Sequence, residues 1–162
     1  MEKLILKQGH YEIYPDSSDL SFYFSPGRIN IIGEHIDYNG GLVFPCAISL
    51  GTYAAVSLRE DDTVNLYSGN FPAVGVVSFK LSEVLTKDNL WTDYVKGVVS
   101  EITKLGHKLD KGFNAYIIGN LPNGASLSSS ASLELLFCEI IREIHCLKLS
   151  DLDLVKISQG AE

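Results

Sequence analysis

Cysteine is scarce in this 162-residue sequence: Cys46, Cys138 and Cys146 are the three present, an odd number with no C-x-x-C pair. That leaves no disulfide framework and reads as three structural thiols in a reducing cytoplasm. Basic residues are also few. Thirteen Lys and Arg stand against twenty Asp and Glu, a formal net charge of −7, which excludes the clustered positive footprint that a nucleic-acid backbone demands. It does not exclude ATP, whose phosphates can be held by backbone N–H groups and a metal ion. No stretch approaches the ~20 apolar residues of a membrane span, and Met1–Lys7 is interrupted by charge and lacks a signal-peptide apolar region. Repeats, low-complexity tracts and linkers are absent too, so residues 1–162 read as one compact unit. Hydrophobic residues make up 46% and charged residues 20%, enough for a globular domain with a sizeable core.

Patterning then locates the elements. Residues 21–32 alternate around Pro26-Gly27 and predict two strand pieces broken by a turn. Asn39-Gly40-Gly41 is a second turn signal. Thr52–Leu58 and Thr63–Tyr67 read as strands joined into a hairpin through Asp61-Asp62. From Leu90 to Leu105 the period becomes helical, with Trp91, Tyr94, Val95, Val98, Val99, Ile102 and Leu105 recurring, Lys96 elsewhere on the wheel, and Gly106 as cap. Residues 112–119 read as a strand and Leu127–Leu147 as a long helix, whose apolar face is expected to seek partners further along the chain. A last helix starts at Ser150, which forms a capping-box pattern with Asp153; its apolar positions read as Leu152, Val155 and Ile157.

Leu121-Pro122-Asn123-Gly124-Ala125-Ser126-Leu127-Ser128-Ser129-Ser130-Ala131-Ser132 lies between a predicted strand and the long helix. Small residues let a backbone approach a phosphate, first-turn N–H groups point outward, and the helix dipole favours negative charge. Serine hydroxyls can add hydrogen bonds or reach Mg²⁺. A Ser-rich cap on a core helix would look the same from composition. The lysine of a G-x-x-x-x-G-K-[ST] loop is missing, and no G-x-G-x-x-G is present. The segment resembles the second motif of the GHMP kinases (galactokinase, homoserine kinase, mevalonate kinase and phosphomevalonate kinase), P-x-G-x-G-L-x-S-S-A. Ser126 stands where that motif has its second glycine.

Arg28, Glu34, His35 and Asp37 fall within ten residues, among apolar strand residues and Gly turns. Carboxylates and imidazole read sugar hydroxyls, which both donate and accept, and an arginine can neutralise a transferring phosphoryl group. Taken alone, the cluster also fits a structural Arg28–Glu34 or Arg28–Asp37 ion pair with a core His35. The segment from Gly27 to Tyr38, however, resembles the galactokinase signature G-R-x-N-[LIV]-I-G-E-H-x-D-Y at every position. That resemblance implies Arg28 as the arginine stabilising the transition state, with Glu34, His35, Ile36 and Asp37 on galactose. Trp91–Val98 is similar to the family's W-x-N-Y-V-K-G helix beside the adenine, where Trp91 and Tyr94 either line a base or fill the core. By the same resemblance Ser68, Gly124, Ala125, Ser126, Leu127, Ser128, Ser129 and Ser130 contact ATP. Gln159-Gly160-Ala161-Glu162 is similar to Q-x-A-E, implying Ser130 and Glu162 as Mg²⁺ ligands.

The fold implied is α+β, the N-terminal domain of the GHMP kinase fold (ribosomal protein S5 domain 2-like), incomplete at its C-terminal end. The chain is expected to stop before the C-G-I-M-D-Q motif that carries the catalytic aspartate and before a C-terminal domain that closes the cleft. The activity implied is transfer of the ATP γ-phosphate to the anomeric hydroxyl of galactose by a cytoplasmic, monomeric enzyme with no nucleic-acid or membrane partner. A galactose- and ATP-sensing regulator, or a kinase of a related hexose such as N-acetylgalactosamine, would share these motifs.

Overall fold

The computed structural model describes residues 2–17, 19–33, 40–83, 85–122 and 128–162. Helix α1 (Glu2–Ile13) leads into strand β1 (Ser21–Ile32), then β2 (Phe44–Leu58), β3 (Thr63–Ser68), a short 3₁₀ turn (Pro72–Val74) and β4 (Val77–Lys80). Helix α2 (Thr92–Lys104), strand β5 (Phe113–Gly119), and helices α3 (Ser129–Ile144) and α4 (Asp151–Ala161) complete the described elements. The strands form one sheet in the order β1-β2-β5-β3-β4. All neighbours are antiparallel except β3 and β5. The architecture is α+β, as expected.

The two faces of the sheet carry different layers because side chains alternate along a strand. Phe113, Ala115 and Ile117 on β5, with Ala54 and Val56 on β2 and Val64 and Leu66 on β3, are buried in the core with α2 and α3. Asn114, Tyr116 and Ser57 point the other way, toward α1, which buries Leu6, Gly9 and His10. Leu136, Phe137, Ile140 and Ile141 of α3 are fully buried, each worth roughly 2 kcal/mol of apolar transfer. That face is covered by β1, β2, α2 and α4 of this same chain.

Several expectations are corrected. Residues 21–32 are one strand, with a bulge: Pro26 sits opposite Gly51, but Arg28 sits opposite Ala47. Proline is tolerated there because β1 is an edge strand and the bulge frees the ladder. The proposed hairpin between β2 and β3 does not exist, since β5 lies between them. Asp61 instead takes a bidentate bond from Arg59 (2.7 and 2.8 Å) and one from the Thr63 N–H. Lys96, off the apolar stripe of α2, is nonetheless buried, donating to Thr86 O at 3.0 Å and pairing with Asp88. In α4 the buried side is Leu154, Ile157 and Ser158, whereas Leu152 and Val155 are exposed. The Ser150–Asp153 capping box is present.

Candidate functional site

Where β3 and β5 end, on the helical face of the sheet, a cleft of about 210 Å³ opens. Thr52 of β2, Ser68 at the end of β3 and Gly119 at the end of β5 form its floor; Phe71, Trp91 and Tyr94 form an aromatic side; Ser129, Ser130 and Leu133 of α3 form the opposite wall. Asn70 fixes the rim, because its amide donates to Gly119 O at 2.9 Å and accepts the Gly119 N–H at 2.6 Å. Ser68 Oγ accepts the Asn70 N–H at 3.3 Å. Trp91 packs against the core and also lines the cleft, whereas Tyr94 lines the cleft.

The wall begins with Ser128, whose φ of +55° and ψ of 50° lie in the left-handed region, a conformation that costs a non-glycine residue about 1 kcal/mol. That turn sets the direction in which α3 leaves, and the helix's first N–H groups have no partner within it. Ser130 Oγ donates to Glu162 Oε1 at 3.0 Å, so the two residues expected to share a metal meet although 32 positions separate them. Glu162 is brought there by close packing of α4 on α2. A Cβ on Gly97 would fall 2.7 Å from Ala161 O, a distance that only glycine permits.

Ser132 has a different task from its neighbours in the serine run. It is 1% exposed, and its Oγ donates to Ser25 O at 2.8 Å and meets Thr52 Oγ1 at 3.0 Å. This pins the first turn of α3 to the strand bulge that precedes Arg28, whose side chain is exposed. Gly51 allows that bulge, since a Cβ there would fall 2.1 Å from Ser25 O. Glu34, His35, Ile36 and Asp37, and Gly124, Ala125, Ser126 and Leu127, lie outside the described residues. The ends of the first of these segments are described: Gly33, at φ +106°, packs against Leu42 and Val43, and Ile32 pairs with Phe44.

The structure therefore brings together Ser68, Ser129, Ser130 and Glu162, places Ser128 at the turn before them, and sets Arg28 past the adjoining bulge. Thr52, Asn70, Phe71, Gly119 and Leu121 also line or frame the cleft without having been singled out. Only Asn70, following Ser68-Gly69 in a turn, carried a local signal.

The galactokinase galactose-binding signature matches residues 8–58, and the N-terminal domain of GHMP kinases matches residues 93–162. The chain is 53% identical over 143 residues to a galactokinase of Clostridium perfringens, covering 88% of this chain and 37% of that protein. It is 47% identical over 163 residues to the galactokinase of Streptococcus mutans, covering all of this chain and 42% of the relative. The crystal structure of Lactococcus lactis galactokinase complexed with galactose superposes with a TM-score of 0.93 at 45% identity, over 99% of this chain and 41% of that one.

The chain belongs to the galactokinase family of the GHMP kinases.

It spans about two fifths of the length of those curated relatives. The GHMP fold extends further: Methanococcus jannaschii mevalonate kinase, at 18% identity, matches with a TM-score of 0.75 over 90% of this chain and 46% of its own.

Proposed function

We propose that this chain contributes the nucleotide cleft and the sugar-reading signature of a galactokinase, which transfers the ATP γ-phosphate to the anomeric hydroxyl of galactose. The observation that carries the reading is the meeting of Ser130 and Glu162 at the start of α3, on the wall of a cleft whose other side is Phe71, Trp91 and Tyr94. Aromatic rings suit a base, and the helix start suits phosphates. We read residues 1–162 as the N-terminal domain of that enzyme. The exposed Ile31 and Ile32 at the end of β1, with Leu42 just before β2 and Phe44 at its start, are then the face turned toward its second domain.

Ser130 and Glu162 offer a hydroxyl and a carboxylate within one hydrogen bond of each other, the hard oxygen donors that Mg²⁺ takes alongside phosphate oxygens. They are the residues that would hold it, and when bound it would neutralise charge on the phosphates of ATP. The chain's own groups do the positioning. Backbone N–H groups of residues 128–131 hold the phosphates at the helix start, and Phe71, Trp91 and Tyr94 hold the base. Arg28 stands where charge develops on the transferring group, and Glu34, His35, Ile36 and Asp37 orient the sugar. The three unpaired thiols suit a cytoplasmic setting, and we take the enzyme to act as a monomer. No helix among the described residues is long and apolar enough to cross a membrane.

Trp91 is the sole tryptophan of the chain and lines the cleft, so its fluorescence reports occupancy. Titration with Mg·ADP is expected to change it saturably, and Tyr94→Ala to weaken that response. Galactose, read through Asp37, is expected to bind in calorimetry without moving the Trp91 signal. A flat response to Mg·ADP, in a sample whose melt is cooperative, would overturn the nucleotide assignment.

A further inference from the structure

Helices α3 and α4 run antiparallel and meet through polar pairs that recur every four residues along α3. Ser130 bonds Glu162 at 3.0 Å, Glu134 accepts from Ser158 Oγ at 3.0 Å, and Cys138 Sγ donates to Leu154 O at 3.8 Å. Arg142 closes the series on Leu149 O at 3.2 Å and Asp151 at 2.8 Å. Four residues are close to one helical turn, so the pairs stack as rungs along a single seam. The second rung is the first one inverted: serine and glutamate have exchanged helices.

The two rungs differ in burial. Ser130 is half-buried in the cleft wall and Glu162 is exposed, whereas Glu134 is 1% and Ser158 6% exposed. Glu134 Oε1 has no hydrogen-bond partner among the described residues. Burial pushes its carboxyl pKa up, Ser158 pulls it the other way, and the charge of Glu162 adds to the rise. A methionine and an alanine would fill this seam at lower cost, since buried ionisable groups seldom repay their desolvation. What an apolar pair could not supply is register, because apolar helix faces slide where a hydrogen bond does not.

We propose that Glu134 and Ser158 are positioning residues: their buried bond fixes α4 against α3 and so holds the Glu162 carboxylate beside Ser130. The inference rests on Ser130 and Glu162 being the cation-holding pair. The test is binding of Mn²⁺ with ADP to this chain, followed by electron paramagnetic resonance, with a thermal melt of each variant. Glu134→Gln keeps an oxygen for Ser158 and is expected to retain Mn²⁺ affinity within about twofold. The double variant Glu134→Met with Ser158→Ala removes both polar partners while conserving volume, so its melt should hold or rise. Its Mn²⁺ affinity should nevertheless fall roughly five- to tenfold, the worth of one ordinary hydrogen bond, with ADP affinity in the absence of metal unchanged. A merely structural rung would move the melt and the affinity together. Unchanged Mn²⁺ affinity in the double variant, or a large loss in Glu134→Gln, overturns the positioning role. Mn²⁺ affinity unaffected by Glu162→Gln overturns the cation pair itself, and with it this inference.

Discussion

Gly97→Ala should weaken metal-assisted nucleotide binding although residue 97 touches neither ligand. The added methyl would sit 2.7 Å from Ala161 O, 3.0 Å from its Cβ and 3.2 Å from its Cα. An unstrained C···O approach is about 3.3 Å or more, so α4 must withdraw by roughly 0.6 Å at its end. Ser130 and Glu162 are bonded at 3.0 Å, and the same withdrawal carries them toward ~3.6 Å, beyond a hydrogen bond. Two terms compete in stability. Replacing a helical glycine by alanine gains about 1 kcal/mol, and overpacking costs about 1–3 kcal/mol. The net is a loss of up to about 2 kcal/mol, or a melting point lower by up to ~8 °C for a chain of this size. A calorimetric melt and a Trp91 titration with Mg·ADP measure both consequences. A melt that rises by the ~2–4 °C of an ordinary glycine-to-alanine gain, with unchanged Mg·ADP affinity, would refute the close approach of the two helices.

Three further outcomes follow from single residues. Burial holds the His10 pKa below its ordinary value of 6.5, and His145 behaves alike. The unfolded chain therefore binds these protons first, so their contribution is complete above about pH 6.5 and is lost as pH falls through the depressed folded values. The melting point should drop between pH 7 and 5, and His10→Asn should flatten that slope relative to the parent; an unaltered slope would count against it. Ser128→Gly should relieve the left-handed strain and raise the melting point by roughly 2–4 °C, and a lower one would show that the hydroxyl is needed. Ser132→Ala strips α3 of its bond to Ser25 O, with an expected cost of about 1–2 kcal/mol in a urea titration.

How much could be read from the sequence depended on whether the signal was local. The Ser150–Asp153 capping box, the strand ending at Gly119 and the helical face of Leu136, Phe137, Ile140 and Ile141 are written in neighbouring residues, and all are present. The order of strands is not local. Two β-like runs flanking Asp61-Asp62 look like a hairpin, yet Gly112 occupies the turn: its N–H bonds Asp61 O at 2.6 Å, and β5 enters between β2 and β3. Helix α1 escaped notice because it buries little beyond Leu6, Gly9 and His10, leaving Leu4 and Ile5 exposed. In the site, Ser68, Ser130 and Glu162 were legible through motifs. Thr52 and Phe71 were not, because folding assembles a cleft from residues far apart in the chain, and Asn70 carried only the signal of a turn. Ser132 could not be told from its serine neighbours until its 1% exposure and its bond to Ser25 assigned it to packing.

The galactokinase reading is tested most directly by a chimera in which residues 1–162 replace the matching segment of Lactococcus lactis galactokinase, the structure with which this chain superposes at a TM-score of 0.93. The quantity to measure is galactose 1-phosphate formed from galactose and Mg·ATP. The account predicts turnover comparable to the parent, lost by orders of magnitude in Arg28→Ala, with Asp37→Ala weakening galactose by about 1–3 kcal/mol while leaving ATP nearly unchanged. A folded chimera that binds Mg·ADP but forms no galactose 1-phosphate, or one in which Arg28→Ala works as well as the parent, would contradict it.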